Sequence, residues 1–281
     1  MKWAIYPALV FVTMGLEVGL ANPLDAYGFG ARGMGLGGAM TALAEGSSAG
    51  YYNPAGLAHG GRMRLDLGYV FVDPRLTLDN VEQDVSSSRG FQGGVVLSRP
   101  ILGRGFGFAM SLHLPSGRIS RIKALAETAP RLVLLDIRPQ RLVLSSSLGF
   151  EVLPNLHFGG GLTYLANTAG TLGLQGRVHL TEPDQTRLQS AVDVDLKAAR
   201  YASAGLLYTP EGPWRFGATW REAFSLGLDL RVNVHGQVVV GENTVVVPQG
   251  RLDLRSRTKA LYSPQQVFLG VAYEYDKLVV S

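Results

Sequence analysis

Long segments of this chain alternate apolar with polar or small residues at a period of two, and no segment past residue 21 offers the roughly 18 consecutive apolar residues of a membrane-crossing helix. Over residues 62–73 one face carries Met63, Leu65, Leu67, Tyr69 and Phe71, the other Arg62, Arg64, Asp66 and Gly68. Over 105–114, Phe106, Phe108, Met110, Leu112 and Leu114 oppose Gly105, Gly107, Ala109, Ser111 and His113. The pattern returns at 140–152, 155–166, 191–208 and 214–232, the last read as one strand through Trp214, Phe224 and Leu226 to Leu230. Successive side chains of a strand point to opposite faces, so each segment presents one greasy and one small or polar face.

A soluble sandwich alternates in the same way. Strand length and connection length separate the two cases. Soluble strands average about 5–6 residues, whereas a tilted membrane-spanning strand needs about 9–11. Several segments here reach the longer value. The connections also alternate: short turns at 100–103, 153–155, 210–213 and 276–277, and long ones at 74–89, 115–139, 167–190 and 233–261. Short turns on one side and long loops on the other mark an outer-membrane barrel, with the short turns periplasmic. Tyr69, Phe71, Tyr164, Tyr208, Trp214, Tyr273 and Tyr275 suit interfacial girdles, with ordinary core packing the plainer alternative. The expected class is all-β, an antiparallel transmembrane barrel. Eight strands are legible, ending with 265–275, and a ninth begins at Leu278. The chain therefore reads as the amino-terminal part of a larger barrel, which by itself would leave an open edge.

Residues 1–21 read as a secretory signal peptide: Lys2 gives the positive start, 3–16 the apolar stretch, and Gly19-Leu20-Ala21 the small residues of a cleavage site. An amino-terminal membrane anchor is the alternative. Residues 22–60 do not alternate and are rich in Gly, Ala and Ser, which lets backbone pass close to neighbouring walls. Residues 37–44 suggest a short helix ended by Glu45-Gly46, and Asn53-Pro54-Ala55 a turn. Gly28-Phe29-Gly30-Ala31-Arg32-Gly33 matches GxGxxG, but no preceding strand and no βαβ unit accompany it, so dinucleotide binding is not supported.

The order Arg32-Gly33-Met34-Gly35-Leu36-Gly37-Gly38-Ala39, Thr41-Ala42-Leu43-Ala44 and Tyr52-Asn53-Pro54-Ala55-Gly56-Leu57 resembles the amino-terminal hatch of the long-chain fatty-acid transport porins, the FadL/TodX-like family. Tyr69-Val70-Phe71-Val72-Asp73-Pro74 is similar to that family's first strand, and Ser263-Pro264-Gln265 to its second half. The resemblance covers residues 25–75 closely and the rest by layout. It implies a fourteen-stranded barrel, of which about 8–9 strands stand in this chain, with residues 22–60 as a plug in the lumen and 61–281 as wall. It implies uptake of hydrophobic molecules, long-chain fatty acids first, through a pocket beside the hatch and sideways release at a kink in the third strand. Asn53, Pro54 and Ala55 would sit where hatch meets wall. Gly105 and Gly107 would permit the kink or, equally, close packing against the plug.

Leu36, Met40, Leu43 and Leu57 are candidates for the pocket or for anchoring the plug. Arg141, Arg215 and Arg221 are candidates for a carboxylate head group or for solvated pore lining. The loop 115–139 suggests an amphipathic helix over the mouth or an unstructured loop. Rival classes are weaker. His113 and Ser116 lack any surrounding catalytic motif, so no enzyme is expected. The 5 His lack metal spacing and Cys is absent, so neither a metal nor another cofactor is expected. The basic residues are scattered at a net charge of +4, which gives no nucleic-acid footprint. Outer-membrane lipid is the expected surrounding and a monomer the expected state. A structural or adhesive barrel, or an aromatic-hydrocarbon channel, are the alternatives.

Overall fold

A computed structural model describes residues 24, 27–59, 62–83, 85, 87–116, 141–179, 184, 186–240, 244–275 and 278–280. The segment 1–21 and most of the loop 115–139 lie outside the described residues. The wall consists of β1 (Arg64–Val72), β4 (Ser88–Ile101), β5 (Arg104–Pro115), β6 (Val143–Leu153), β7 (Leu156–His179), β8 (Arg187–Tyr208), β9 (Trp214–Arg221), β12 (Gln266–Tyr275) and β13 (Leu278–Val280). Each pairs with the next in that order, antiparallel throughout. The first long connection carries a small hairpin, β2 (Leu76–Leu78) and β3 (Val81–Gln83), turned at Asp79-Asn80, both at positive φ. No helix among the described residues is long and apolar enough to cross a membrane.

The expected faces hold. Leu65 and Leu67 of β1 are 66% and 83% exposed, and Met110, Leu148, Phe150 and Leu206 also face outward. The opposite faces are buried: Ser111 and His113, Ser145 and Ser147, Thr163, Tyr201 and Ser203. Near the short-turn end, outward aromatics run from strand to strand. Phe150 meets Phe158, Tyr208 meets Phe216, and Trp214 meets Phe216 and Tyr273, with ring centroids 4.9–6.4 Å apart. Tyr69 and Phe91 pair toward the other end. The rise along β5 from Phe106 to Leu114 is roughly 20 Å across a tilted wall, close to the roughly 25 Å apolar band of outer-membrane barrels.

Two expectations about the wall are corrected. Residues 167–190 and 233–261 are largely strand rather than loop: β7 and β8 continue past the wall, and β10 (Phe224–Val240) pairs with β11 (Thr244–Ser263). β10 also runs parallel to β7 over Asp229–Val239, which joins the two extensions into one sheet. Their own alternation, such as Val232 and Val234 opposite Leu254 and Leu252, carries the ladder outward.

The segment 214–232 is two strands. At Glu222-Ala223 the chain leaves β8, and opposite it Pro264 has no N–H to offer the ladder. The Glu222 carboxylate accepts the Ala202 N–H at 2.8 Å instead. Beyond the break Phe224 and Leu226 turn inward and are buried, where Trp214 and Phe216 faced outward.

The segment between Leu24 and His59 lies within the curve of this sheet. It contains α1 (Ala31–Gly35), α2 (Gly46–Tyr52) and a 3-10 turn (Pro54–His59). The helix expected over 37–44 is absent. Gly37 and Gly38 take φ of 59° and 85°, which stops α1, and Gly46 opens α2 rather than ending a helix. Pro54 starts the 3-10 turn, where its missing N–H costs nothing, and the residue before it, Asn53, is extended as a pre-proline residue prefers.

Candidate functional site

The hatch touches wall strands around most of the described sheet. Gly107 of β5, Gly149 of β6, Gly159 of β7 and Gly205 of β8 stand beside one another in register and form a row across four strands. The backbone of residues 53–58 lies in that row. A Cβ on Gly107 would strike the Leu57 carbonyl, on Gly149 the Pro54 carbonyl, on Gly159 the Pro54–Ala55 peptide, and on Gly205 the Asn53 amide. Gly217 of β9 meets Thr41 in the same way.

Polar side chains finish the seat. Asn53, fully buried, donates from Nδ2 to the Thr41 carbonyl at 2.7 Å and to the Leu206 carbonyl of β8 at 3.0 Å, and its Oδ1 accepts the Ala55 N–H at 3.1 Å. Wall hydroxyls of Ser98, Ser111 and Ser147 donate to the carbonyls of Leu57, Ser47 and Gly50. Gln92 of β4 reads the hatch twice, donating to the Gly28 carbonyl and accepting the Gly30 N–H. Asp66 of β1 accepts the Ser47 N–H at 2.8 Å.

Gln92, Asp66 and these serines were not singled out from the sequence. The readable signal was the run of small or polar residues on one face of each strand.

The fold has a solved counterpart. The Ralstonia pickettii toluene transporter TbuX superposes with a TM-score of 0.54 at 17% identity, over 90% of this chain and 70% of that one. The chain has the FadL-type barrel fold. Two further solved structures match at lower TM-scores: the TodX deltaS2S3 mutant monoaromatic hydrocarbon channel (0.49, 18% identity, 89% of this chain and 67% of that one) and a Pseudomonas aeruginosa FadL homologue (0.46, 14%, 89% and 66%). The chain thus spans about two-thirds of the length of these last two chains. No protein-family profile matches the sequence, and no curated protein matches it.

Within the FadL-type barrel the other sequence candidates fall as follows. Met40, Leu43, Leu57 and Ala55 are essentially inaccessible, and Leu36 is partly buried against the same core. The ladder of β5 with β4 runs without a register shift through Gly105 and Gly107, that with β6 through Gly107, and the two glycines admit the Ala58 and Leu57 carbonyls. At that point of the third wall strand the structure shows close packing against the hatch.

All three candidate arginines are engaged. Arg221, buried, donates to the Tyr51 carbonyl at 3.0 Å and lies 4.5 Å and 4.7 Å from the ring centres of Tyr51 and Phe268. Arg215 forms an ion pair with Glu274. Arg141 is buried and donates to the Ala166 carbonyl at 3.0 Å.

The hatch of this FadL-type fold is seated unevenly. Against β5–β8 the two surfaces touch. On the β1–β4 side the contacts of Asp66, Gln92 and Ser98 leave a cavity of about 490 Å³ between the two surfaces, bordered by Phe29, Met34 and Val70 and by the pairs Arg32–Glu45 and Arg64–Asp66. A second, of about 410 Å³, reaches Leu57 and Val96.

Proposed function

We propose that this protein is an outer-membrane channel for hydrophobic small molecules, exported by residues 1–21 and plugged by the hatch of residues 22–60. The observation that carries the reading is the plug itself: an antiparallel wall greasy outside whose inner face is covered by a segment held through hydrogen bonds and glycine contacts. A structural barrel needs no such segment. A solute would enter the cavities on the β1–β4 side and leave when the hatch shifts.

Long-chain fatty acids are one substrate class. Burying an acyl tail of about a dozen CH₂ groups at roughly 0.8 kcal/mol each gives roughly 10 kcal/mol before ordering costs, so capture is easy and release needs a moving part. A second reading, uptake of uncharged aromatic hydrocarbons, is favoured by the engagement of Arg141, Arg215 and Arg221 with protein groups, since a carboxylate head would have to displace those partners.

Proteoliposomes holding the full chain separate the two: oleate entering faster than toluene supports the first reading, and the reverse order supports the second. Entry of neither compound above the rate of empty vesicles would remove the channel function altogether.

A further inference from the structure

At the short-turn end of the wall, His59, the last residue of the hatch's 3-10 turn, meets His157 of β7 edge to face, with ring centroids 5.5 Å apart. His157 is buried; its Nε2 lies 3.4 Å from the Thr209 hydroxyl, and its Nδ1 has no hydrogen-bond partner. Charged groups act on the pair from four directions: Glu45 of the hatch, Glu151 of β6, Arg215 of β9 and Glu274 of β12. Each has a partner of its own. Arg215 and Glu274 hold one another, Glu45 holds Arg32, and Glu151 accepts the N–H groups of Gly105 and Asn155.

We propose that the His59–His157 contact is a proton-operated latch: with both rings neutral the end of the hatch stays docked on β7, and protonation of the two drives them apart and frees it. This rests on the reading of the chain as a channel whose hatch moves. The sign follows from His59. Its pKa lies below the ordinary imidazole value, first because burial penalises the cation and second because of Arg215, and Glu274, Glu45 and Glu151 do not offset the two. The docked state thus binds fewer protons than the released one. The stability of docking is fully present above the ordinary imidazole value and is lost as pH falls through the lowered value of His59.

The full chain in a planar lipid bilayer tests this through ion current, which reports the seating of the hatch without any substrate. Between about pH 7.5 and about pH 5 the current rises several-fold as the docked fraction falls. His59→Phe and His157→Phe keep a ring at each position without a titratable nitrogen; each weakens the response and the double variant loses it. A wild-type current indifferent to acid, or a double variant responding like wild type, overturns the latch. Should His157→Phe fail to fold, as read from heat-shifted migration on a gel, His59→Phe at the partly exposed position decides. An acid-gated current from a protein that carries no apolar solute would sustain the latch and overturn the channel reading.

Discussion

Asn53 shows how much one side chain can carry. Its amide joins three separated pieces of chain, the Thr41 carbonyl, the Leu206 carbonyl and the Ala55 N–H, in a site closed to water. Removing one partner of a buried hydrogen bond leaves the other unsatisfied, at about 1–3 kcal/mol each. Asn53→Ala is therefore expected to lower the unfolding free energy in bilayers by about 3 kcal/mol. Asn53→Asp should be worse, since a carboxylate would face two carbonyl oxygens where Nδ2 now donates. Urea titrations of the three proteins check the order Asn, Ala, Asp; equal midpoints for Ala and Asp would show that the donor geometry is not what matters. The glycine row gives the same lesson from the opposite direction, because there the side chain that is missing makes room for Asn53–Ala58.

Among elements, the junction between β9 and β10 decides what the outer extension can do. Below Glu222 the apolar residues point outward and are exposed; above it Phe224 stacks on Tyr201 with centroids 4.9 Å apart and planes at 15°, and Leu226 is buried in the same core. The base of the extension is thus tied, through Phe224 and Leu226, into the same apolar core that the hatch fills. Phe224→Ala, at about 3 kcal/mol for a buried aromatic, should speed limited proteolysis within 222–263 by roughly a hundredfold while the wall keeps its heat-shifted gel migration. Cleavage at the wild-type rate would mean that the parallel pairing with β7, and not the cluster, holds the extension. The alternation of 214–232 reads as a single strand, and the break and change of facing at Glu222-Ala223 are invisible in it, because Phe224 and Leu226 are apolar whether they face outward or a protein core.

For the whole molecule the outer surface is the deciding feature. Leu67, at 83% exposure, and Leu269, at 80%, would be costly in water as part of a continuous belt, whereas a bilayer accommodates them. Leu67→Lys is expected to cost about 2 kcal/mol of stability in bilayers, as cations on the lipid face of such barrels do. On a water-facing position the same exchange would be neutral, so an unchanged unfolding free energy would show that Leu67 does not touch lipid. The seating of the hatch belongs to this scale too: it packs its backbone into the glycines of β5–β8, whereas beside β1 and β4 its hydrogen bonds to Asp66, Gln92 and Ser98 border cavities, which makes the β1–β4 side the easier one to open.

The sequence by itself determined the wall strands, their faces as far as Arg221, and the presence of a segment unlike the wall. Alternation with period two is a property of the local backbone, and the glycine-rich stretch around Asn53-Pro54-Ala55 can be picked out without knowing what surrounds it. Only the tertiary structure decided which wall glycines receive which hatch carbonyls, that β10 lies parallel to β7, and that Arg141, Arg215 and Arg221 are already engaged. Those outcomes depend on contacts between residues far apart in the chain, such as Asn53 with Leu206 or Arg221 with Tyr51, and a pattern confined to neighbours carries no record of such distances.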